Sequence, residues 1–487
     1  MLLLPLDGAG PLHRQLYRSL RAAILSGRLR AGTRLPSTRS LARDLGLSRN
    51  TVLAACEQLA AEGYAAPRAR SGLFVAESLP PGTHAARPRA RGKPAPPVLS
   101  DTGKRMVSAV APGRATWSPW RKPLPYDFRY GEPNYAGLPL DTWARLLGRR
   151  ARRLSARRLT YQHPGGATEL REALCGYLSR ARGVQCAPEQ IVVVHGSQQA
   201  LDLVTRLAVD PGARVVLEEP GYTGFVLCAK AAGAELVHVP VDEHGLRTDE
   251  LERVTSAKLA YVTPSHQYPV GGVLSLPRRI ALLEWAARAG AYVLEDDYDG
   301  EFRFDGRPIE CLQALDRDER VIYVGTASKL LFPALRIGWV VAPEPFAPLL
   351  QNAKALADTG TPSLEQLALA DFISEGHLER HARRARTRTA KLRETLLESL
   401  ESELGDGARV RGASAGLHVL VELPRVDARK THRLREECSR RGVGVYSAAP
   451  FYARPPGRVE LLLGYASLDE KRIREGVRRL RRAVDAL

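Results

Sequence analysis

The chain has 487 residues, of which 44% are hydrophobic and 26% are charged. This length excludes a single small domain and predicts two or three domains with substantial cores. The formal net charge of +19 divides into +6 for residues 1–78, +8 for residues 79–125 and +5 for residues 126–487. Fixed positive charge attracts phosphates, so this asymmetry favours a polyanionic partner at the N-terminal end, with a soluble Arg-rich surface as the alternative.

The cysteines and the apolar segments indicate the cellular compartment of the protein. The six cysteines show neither CxxC pairing nor zinc-ligand spacing, which predicts thiols in a reducing environment and implies no metal. The N-terminal Met-Leu-Leu-Leu-Pro run is too short for a signal segment, and no apolar stretch reaches membrane-spanning length. We therefore expect a cytoplasmic protein.

The first compact segment covers residues 10–78. Leu16, Leu20 and Ile24 recur at helical spacing and predict a first helix with one buried stripe. Gly27 follows this stripe and is expected to end the helix.

Capping residues predict two further helices. Ser37 or Thr38 caps the second helix, and Gly46 supplies a tight turn after it. Ser48 caps the third, whose inward residues are predicted to be Val52, Cys56 and Leu59.

The first turn of the third helix carries three polar side chains, Arg49, Asn50 and Thr51. Side chains at a helix start can donate to phosphates or base edges, as a recognition helix in the major groove requires. Tyr64–Ala66 and Leu73–Val75 then predict the two strands of a wing. An ordinary helical hairpin is the alternative for any one of these features.

Taken in order, these motifs resemble the GntR-type winged helix-turn-helix. The matching patterns are Leu-Pro-Ser-x-Arg, Leu-Gly-x-Ser-Arg-x-Thr-Val and a Glu-Gly-Tyr entry to the wing. The resemblance implies binding of double-stranded promoter DNA. The contacts it implies are Arg34, Arg39, Arg49, Thr51 and Gly72. For each arginine the alternative is a solvated surface charge.

Residues 79–125 are rich in proline and basic residues and show little apolar periodicity. We interpret them as an extended linker.

After the linker, short β-branched runs alternate with helical stretches. This alternation predicts an α/β body with a mostly parallel sheet covered by helices on both faces. The predicted strands are Ile191–Val194, Val215–Leu217, Leu236–Val239, Leu259–Thr263, Tyr292–Leu294, Val321–Val324 and Ile337–Val341. We assign residues 126–345 to this large domain and residues 346–487 to a smaller α+β domain. The strands predicted in the smaller domain are Leu417–Leu423 and Val459–Leu463.

Lys329 follows an apolar strand and has the chemical neighbours that a covalent aldehyde site requires. Thr326 and Ser328 can donate to phosphate oxygens, and Arg336 can neutralise a phosphate dianion. An imine-forming lysine must be neutral part of the time, and burial beside a cation lowers its pKa. The alternative is a surface lysine at a strand end.

Two further segments complete the predicted site. A buried strand turns through Gly196 into a helix that starts with Ser197 and Gln198, and amides at a helix start hold anions. Asp296 and Tyr298 follow another strand and can reach a cofactor ring. A calcium loop is the weaker alternative, since its ligand spacing is absent.

Together these segments resemble fold type I aminotransferases over roughly residues 126–487. With the winged helix, the chain resembles the MocR subfamily of GntR regulators. That resemblance implies pyridoxal 5′-phosphate as cofactor and Lys329 as its Schiff-base lysine. Asp296 is expected to pair with the pyridinium, Tyr298 to meet the phenolic oxygen, and Tyr222 to stack on the ring. The residues expected to hold the phosphate are Ser197, Gln198, Thr326, Ser328 and Arg336, with Tyr161 reaching the phosphate of a partner in a head-to-tail homodimer.

The sequence departs from the aminotransferase pattern in two places that affect whether the protein can catalyse transamination. Residues 264–271 read Pro-Ser-His-Gln-Tyr-Pro-Val-Gly where aminotransferases carry Asn-Pro-x-Gly. Leucines stand near the place of the usual substrate-carboxylate arginine, which Arg458 would have to replace. We expect a regulator that senses the cofactor or an amine effector. The alternatives are an active aminotransferase with an appended head, and a DNA-binding protein whose body is only a dimerisation scaffold.

Overall fold

The structure is a computed structural model that describes residues 4–69, 71–77, 97–110, 123–305 and 309–487. The chain divides into two compact units, Met1–Val98 and Leu99–Leu487. We call the first unit the head and the second the body.

The head contains three helices and a hairpin among its described residues: α1 (Leu12–Leu25), α2 (Thr38–Leu45), α3 (Arg49–Ala61), β1 (Ala65–Arg68) and β2 (Gly72–Val75). Ser37 caps α2 by accepting from the Ser40 amide at 3.1 Å, and Ser48 caps α3 by accepting from the Thr51 amide at 3.1 Å. Gly46 has φ +65°, which lets the chain turn sharply between the two helices. The winged helix-turn-helix expected from the sequence is therefore present.

The head core is built by the apolar stripes of these helices. α1 contacts α3, and α3 contacts α2 and β1. The residues predicted to face inward are buried: Leu16, Leu20, Ile24, Val52, Cys56 and Leu59. This packing holds α3 in place while Arg49 and Asn50 of its first turn stay exposed.

Part of the segment predicted as an extended linker is helical. α4 (Asp101–Ala109) begins after Ser100, whose hydroxyl accepts from the Gly103 amide at 3.0 Å. Arg105 Nε donates to the carbonyl oxygen of Ala231 at 3.2 Å, which attaches the helix to the rest of the body. The cap and this tertiary contact outweigh the weak apolar periodicity that suggested an extended chain. Residues 79–96 and 111–122 of the predicted linker lie outside the described residues.

The body continues with alternating elements. The first part contains β3 (Tyr126–Asp127), α5 (Leu140–Arg152), α6 (Thr168–Arg182), β4 (Ile191–Val194), α7 (Ser197–Ala208), β5 (Arg214–Glu219), α8 (Thr223–Ala232), β6 (Glu235–Asp242), β7 (Gly245–Leu246), β8 (Leu259–Val262), α9 (Leu276–Ala289), β9 (Tyr292–Asp297), β10 (Val321–Thr326) and β11 (Gly338–Val341). The second part contains α10 (Ala347–Asp358), α11 (Ser363–Ser374), α12 (His377–Leu404), β12 (Arg409–Arg411), β13 (His418–Asp427), α13 (Thr431–Arg440), β14 (Val443–Gly444), β15 (Tyr446–Ser447), β16 (Arg458–Gly464) and α14 (Glu470–Asp485).

The large sheet has eight strands among the described residues, in the order β4-β11-β10-β9-β8-β5-β6-β7. It is mostly parallel, with β11 antiparallel to both β4 and β10 and β7 antiparallel to β6. All seven strands predicted from β-branched runs are present in it. The parallel strands β5, β8, β9 and β10 end at one edge, where ligands of such sheets bind.

The smaller domain has an antiparallel sheet ordered β12-β13-β16-β15 within the described part of the chain. Helix α14 contacts α12 and α13 beside it and buries Ile473, Val477 and Leu480. The two strands predicted here correspond to β13 and β16.

The predicted domain boundary at residue 345 does not match the cores. Phe128, directly after β3, packs in the core of the smaller domain. In contrast, α11 and the beginning of α12 pack in the core of the large domain. The cause is α12, whose 28 residues pass from one core to the other, with Leu378 in the first and Leu396 in the second.

All six cysteines lie in the described part of the chain and are free, as the sequence predicts. No helix among the described residues has the length and apolar character needed to cross a membrane.

Candidate cofactor site

Lys329 lies just beyond β10, at the edge of the large sheet where the parallel strands end. Its Nζ donates to the carbonyl oxygen of Gly131 at 2.8 Å. Burial lowers the pKa of Lys329, and the carboxylates of Asp299 and Asp296 partly oppose this effect. Lys329 is therefore held in place and biased toward the neutral amine that attacks an aldehyde.

Asp296 lies near the end of β9, in register with Val324 of the neighbouring β10. Its Oδ2 accepts from the Tyr261 hydroxyl at 2.9 Å. Its Oδ1 is buried and has no hydrogen-bond partner within the described part of the chain. Burial raises the pKa of Asp296 to about 7. A buried acceptor without a donor is costly, and a protonated ring nitrogen would supply that donor.

The start of α7 forms a cradle for an anion. Gly196 has φ +78° between β4 and α7, and a Cβ there would lie 2.9 Å from Arg336 Nη2. Arg336 Nη2 also donates to the His195 carbonyl oxygen at 2.7 Å. The guanidinium is thus fixed beside the α7 N-terminus, where the amides and the helix dipole also favour negative charge.

Sheet pairing brings β10 to the same cradle. Gly338 of β11 is paired with Val194 on one side and with Thr326 on the other. Thr326 and Ser328 are buried, and the Ser328 amide donates to Thr326 Oγ1 at 3.2 Å. The predicted phosphate-binding hydroxyls are therefore separated from the strand that leads into α7 only by β11.

Tyr222 and Gln198 approach each other across this cradle. Tyr222 precedes α8, and its hydroxyl donates to Gln198 Oε1 at 3.4 Å. Gln198 Nε2 donates to the Gly224 carbonyl oxygen at 3.1 Å. Five residues predicted from separate segments, Ser197, Gln198, Tyr222, Thr326 and Arg336, are thereby brought together.

Tyr298 contacts a histidine that the sequence analysis did not assign a role. Its hydroxyl donates to the His266 carbonyl oxygen at 3.1 Å and lies 3.0 Å from His266 Nδ1. His266 Nδ1 is also 2.9 Å from Asp299 Oδ2. The aromatic hydroxyl predicted to face the cofactor is therefore positioned by His266 and Asp299.

His418 joins this cluster from β13. One nitrogen or oxygen atom from each of His266, Asp299 and His418 lies within 4.8 Å of the others, and all three residues are buried. These residues are far apart in sequence and have no local spacing that predicts a cluster. The Pro-Ser-His-Gln-Tyr-Pro variant was the available signal, since it includes His266.

Tyr268, in the segment that departs from the aminotransferase pattern, belongs to an aromatic wall. Tyr268 packs edge-on against Tyr222, with ring centroids 5.5 Å apart, and edge-on against His418 at 5.4 Å. Tyr268 also contacts Phe451 of the smaller domain at 5.1 Å. The wall therefore combines residues of both domains of the body.

In the head, the predicted DNA contacts lie on the surface, apart from a half-buried Thr51. Arg34, Arg39 and Arg49 are exposed. Thr51 Oγ1 lies 2.8 Å from the cap hydroxyl of Ser48. Gly72 has φ +100°, and a Cβ there would be 3.5 Å from Arg34 Nε, so the wing and Arg34 are neighbours.

Comparison with known proteins agrees with both units. The family of bacterial regulatory proteins of the gntR family matches residues 12–75, and aminotransferase class I and II matches residues 127–480. The chain is 40% identical to the probable rhizopine catabolism regulatory protein MocR of Rhizobium meliloti, over 100% of this chain and 96% of that protein. The chain belongs to the MocR subfamily of GntR-type transcription regulators.

Other similarities fit this membership. The pyridoxine biosynthesis transcriptional regulator PdxR of Corynebacterium glutamicum is 31% identical, over 94% of this chain and 93% of that protein. The crystal structure of LysN, the alpha-aminoadipate aminotransferase of Thermus thermophilus, is similar with a TM-score of 0.69 and 32% identity, covering 74% of this chain and 92% of that chain. That structure is complexed with N-(5'-phosphopyridoxyl)-L-leucine. The expected family and fold class are confirmed.

Two predicted residues of this MocR-type regulator lie apart from the others. Tyr161 is 90% exposed. Arg458 begins β16 and Gly464 ends it. The Gly464 amide donates to the Phe128 carbonyl oxygen, three residues before the Gly131 carbonyl that Lys329 contacts. Six residues of strand separate Arg458 from that end by roughly 20 Å, so β16 does not bring Arg458 to the cofactor site.

Replacing Asp296 with asparagine tests whether its unpartnered Oδ1 accepts from the cofactor. Asn keeps the size but removes the charge, so we expect the affinity for pyridoxal phosphate to fall roughly 10-fold to 100-fold, the range for a charge-assisted hydrogen bond. Fluorescence titration of the cofactor-free protein measures this. Asp318→Asn, at an exposed position, is the control and should bind like the wild type. An equal affinity in D296N and the control would remove Asp296 from the site.

Proposed function

We propose that this regulator holds pyridoxal 5′-phosphate covalently through Lys329 and senses the cofactor or an amine effector, while its head binds promoter operator DNA. The observation that carries the proposal is the unpartnered Asp296 Oδ1, buried on the strand next to the one that leads to Lys329. A lysine biased toward neutrality and a buried carboxylate without a donor are complementary to an aldehyde and a ring N–H of one ligand.

The chemistry of the donor set fits the cofactor. Arg336 and the α7 N-terminus offer positive charge to a phosphate. The residues we assign to the cofactor are Tyr161 from a partner subunit together with Ser197, Gln198, Tyr222, Asp296, Tyr298, Thr326, Ser328, Lys329 and Arg336. When bound, the cofactor supplies an electron sink for bonds to the carbon next to the amine nitrogen.

The chain's own residues perform the remaining tasks. Asp296 would keep the proton on the ring nitrogen, and Tyr298 would donate to the phenolic oxygen while His266 fixes its orientation. Tyr222 and Tyr268 cover the site with aromatic surface and limit the access of water. Together these groups select an amine that can reach Lys329.

A role in regulation is favoured over a role as an efficient aminotransferase. An amino acid substrate needs its carboxylate oriented, and Arg458 starts β16 at the end remote from Phe128. The relatives MocR and PdxR are also named as regulators. The head adds the surface that a DNA-binding protein needs, and action on DNA places the protein in the cytoplasm.

Ligand control of DNA binding requires two conformations with different affinities for the ligand. A homodimer, with Tyr161 exposed for the partner's site, would couple two heads to two cofactor sites. Binding at the body would then change the spacing at which two heads engage an operator.

Two assays on the purified full chain test this function. Footprinting of the promoter region next to its own gene, with and without pyridoxal phosphate and a panel of amines, should show protection that changes with cofactor or amine. Incubation of the cofactor-loaded protein with amino donors and keto acids should give no sustained keto acid product. If the protein forms keto acid continuously and the footprint is the same with and without cofactor and amine, the aminotransferase alternative is favoured.

A further inference from the structure

The C-terminal segment of the chain is basic. Residues 427–487 contain fifteen Lys and Arg against eight Asp and Glu, a net charge of +7. Residues 126–426 carry a net charge of −2, because residues 126–487 together carry +5. The last segment of the smaller domain therefore offers a net positive field to a polyanion.

Helix α14 concentrates this charge on one side. Its buried face contains Ile473, Val477 and Leu480, which pack in the core of the smaller domain. Its exposed cations recur at intervals of three and four residues, which places them in one row on the solvent side. The row consists of Lys471, Arg474, Arg478 and Arg482, all exposed. It extends for about 16 Å along the helix, with roughly one cation per turn.

Acidic residues on the helix reduce this charge only in part. Glu470 pairs with Arg474, and Glu475 pairs with Arg478. Asp485 pairs with Arg481, which neighbours the row. Within the described residues, Lys471 and Arg482 form no ion pair. Exposed pairs of this kind contribute at most about 1 kcal/mol, so phosphates can replace the carboxylates as partners.

The surface around α14 has a shape that can receive a polyanion. A groove of about 1100 Å³ lies between residues 123–126 and α14. Its cationic lining is Lys471, Arg472, Arg474 and Arg478, and its acidic lining is Asp469 and Glu475. Helix α13 continues the basic surface, since Arg433 reaches the end of α14 by donating to the Ala486 carbonyl oxygen at 3.1 Å.

We propose that the exposed face of α14, continued by α13, is a second DNA-contacting surface that binds phosphates without reading sequence. The proposal rests on the proposed function, because the head of the same chain supplies the DNA. Duplex DNA is favoured over RNA or an acidic protein since one tethered contact raises the local concentration of the flanking duplex. DNA bound in this way would bend or wrap toward the body, and the body could then alter promoter geometry.

The test compares two triple variants of the full-length protein with equal charge changes. The first carries Lys471→Gln, Arg478→Gln and Arg482→Gln. The control carries Arg253→Gln, Lys258→Gln and Arg317→Gln, which are exposed residues elsewhere in the body. Each set contains one arginine in an exposed ion pair, with Glu475 in the first and with Glu250 in the control. The probes are duplexes of about 60 and about 15 base pairs of arbitrary sequence, titrated over a range of salt concentrations.

With the long duplex, the first variant should reduce the magnitude of the slope of log K against log salt by about 2 to 3, since each phosphate contact contributes about 0.9. The control should keep the wild-type slope. With the short duplex, which the head alone covers, both triple variants should match the wild type. A wild-type slope of the first variant on the long duplex overturns the proposal, as does an equal decrease in the control.

A full-length variant with Arg39→Ala and Arg49→Ala separates this proposal from the proposed function. If it loses short-duplex binding while the α14 variant keeps the wild-type slope on the long duplex, the head binds DNA and the inference about α14 fails. If the head variant binds the short duplex as the wild type does, the proposed DNA-binding role of the head fails instead.

Discussion

Replacing Lys329 with alanine should abolish the visible absorbance of covalently held pyridoxal phosphate. In the described part of the chain, Lys329 is the lysine close to the Asp296 carboxylate and to Arg336 at the start of α7. It alone would supply the amine for attachment. We expect the variant to bind the cofactor only by its phosphate and ring contacts, with no adduct trapped by borohydride. Spectroscopy before and after reduction, followed by mass measurement of the intact chain, checks this.

Lys230→Ala is the matched control, since this lysine is exposed on α8. It should retain the absorbance and the trapped adduct of the wild type. Attachment in the wild type should become faster as pH rises through the pKa of Lys329, because the neutral amine attacks. Burial lowers that pKa, so the rise should occur below the pH at which a free lysine side chain reacts. A trapped adduct in K329A would assign the attachment to another amine.

The sequence predicted those parts of the site that depend on local order along the chain. Lys329 and Ser197 each come after a buried strand and Asp296 lies near the end of one, and a parallel sheet brings such strand ends to one edge. The His266 cluster could not be found in this way, since His418 comes from a strand of the smaller domain. Its approach to His266 depends on how two domains pack, which periodicity does not encode.

The fold shows the same division between local and long-range information. The caps Ser37 and Ser48 and the seven strands of the large sheet were predictable from residue type and spacing. The short strands β3 and β14 pair over two residues each, which leaves no detectable sequence pattern. The domain boundary was misplaced because α12 is one continuous helix shared by two cores, so no break in the helical pattern marks where one core ends.

Replacing Arg182 with methionine should destabilise the body by about 3–5 kcal/mol, as expected when one partner of a buried ion pair is removed. Arg182 Nε donates to Asp297 Oδ2 at 2.6 Å, and the two side chains are 5% and 2% exposed. The Tyr323 hydroxyl also donates to Asp297 at 2.7 Å. Without the guanidinium, the Asp297 carboxylate stays buried with too few hydrogen-bond donors.

Denaturant unfolding followed by tryptophan fluorescence measures this effect in the body, because all five tryptophans lie outside residues 10–78. Arg180→Met is the control: Arg180 pairs with Glu379 at 2.9 Å, with exposed fractions of 66% and 31%, so its loss should cost at most about 1 kcal/mol. The double variant Arg182→Met with Asp297→Asn should recover part of the loss, since the uncompensated charge is gone. If R182M unfolds at the same denaturant concentration as R180M, the Arg182–Asp297 pair does not hold the strand that carries Asp296, and the position of the cofactor carboxylate must depend on other contacts.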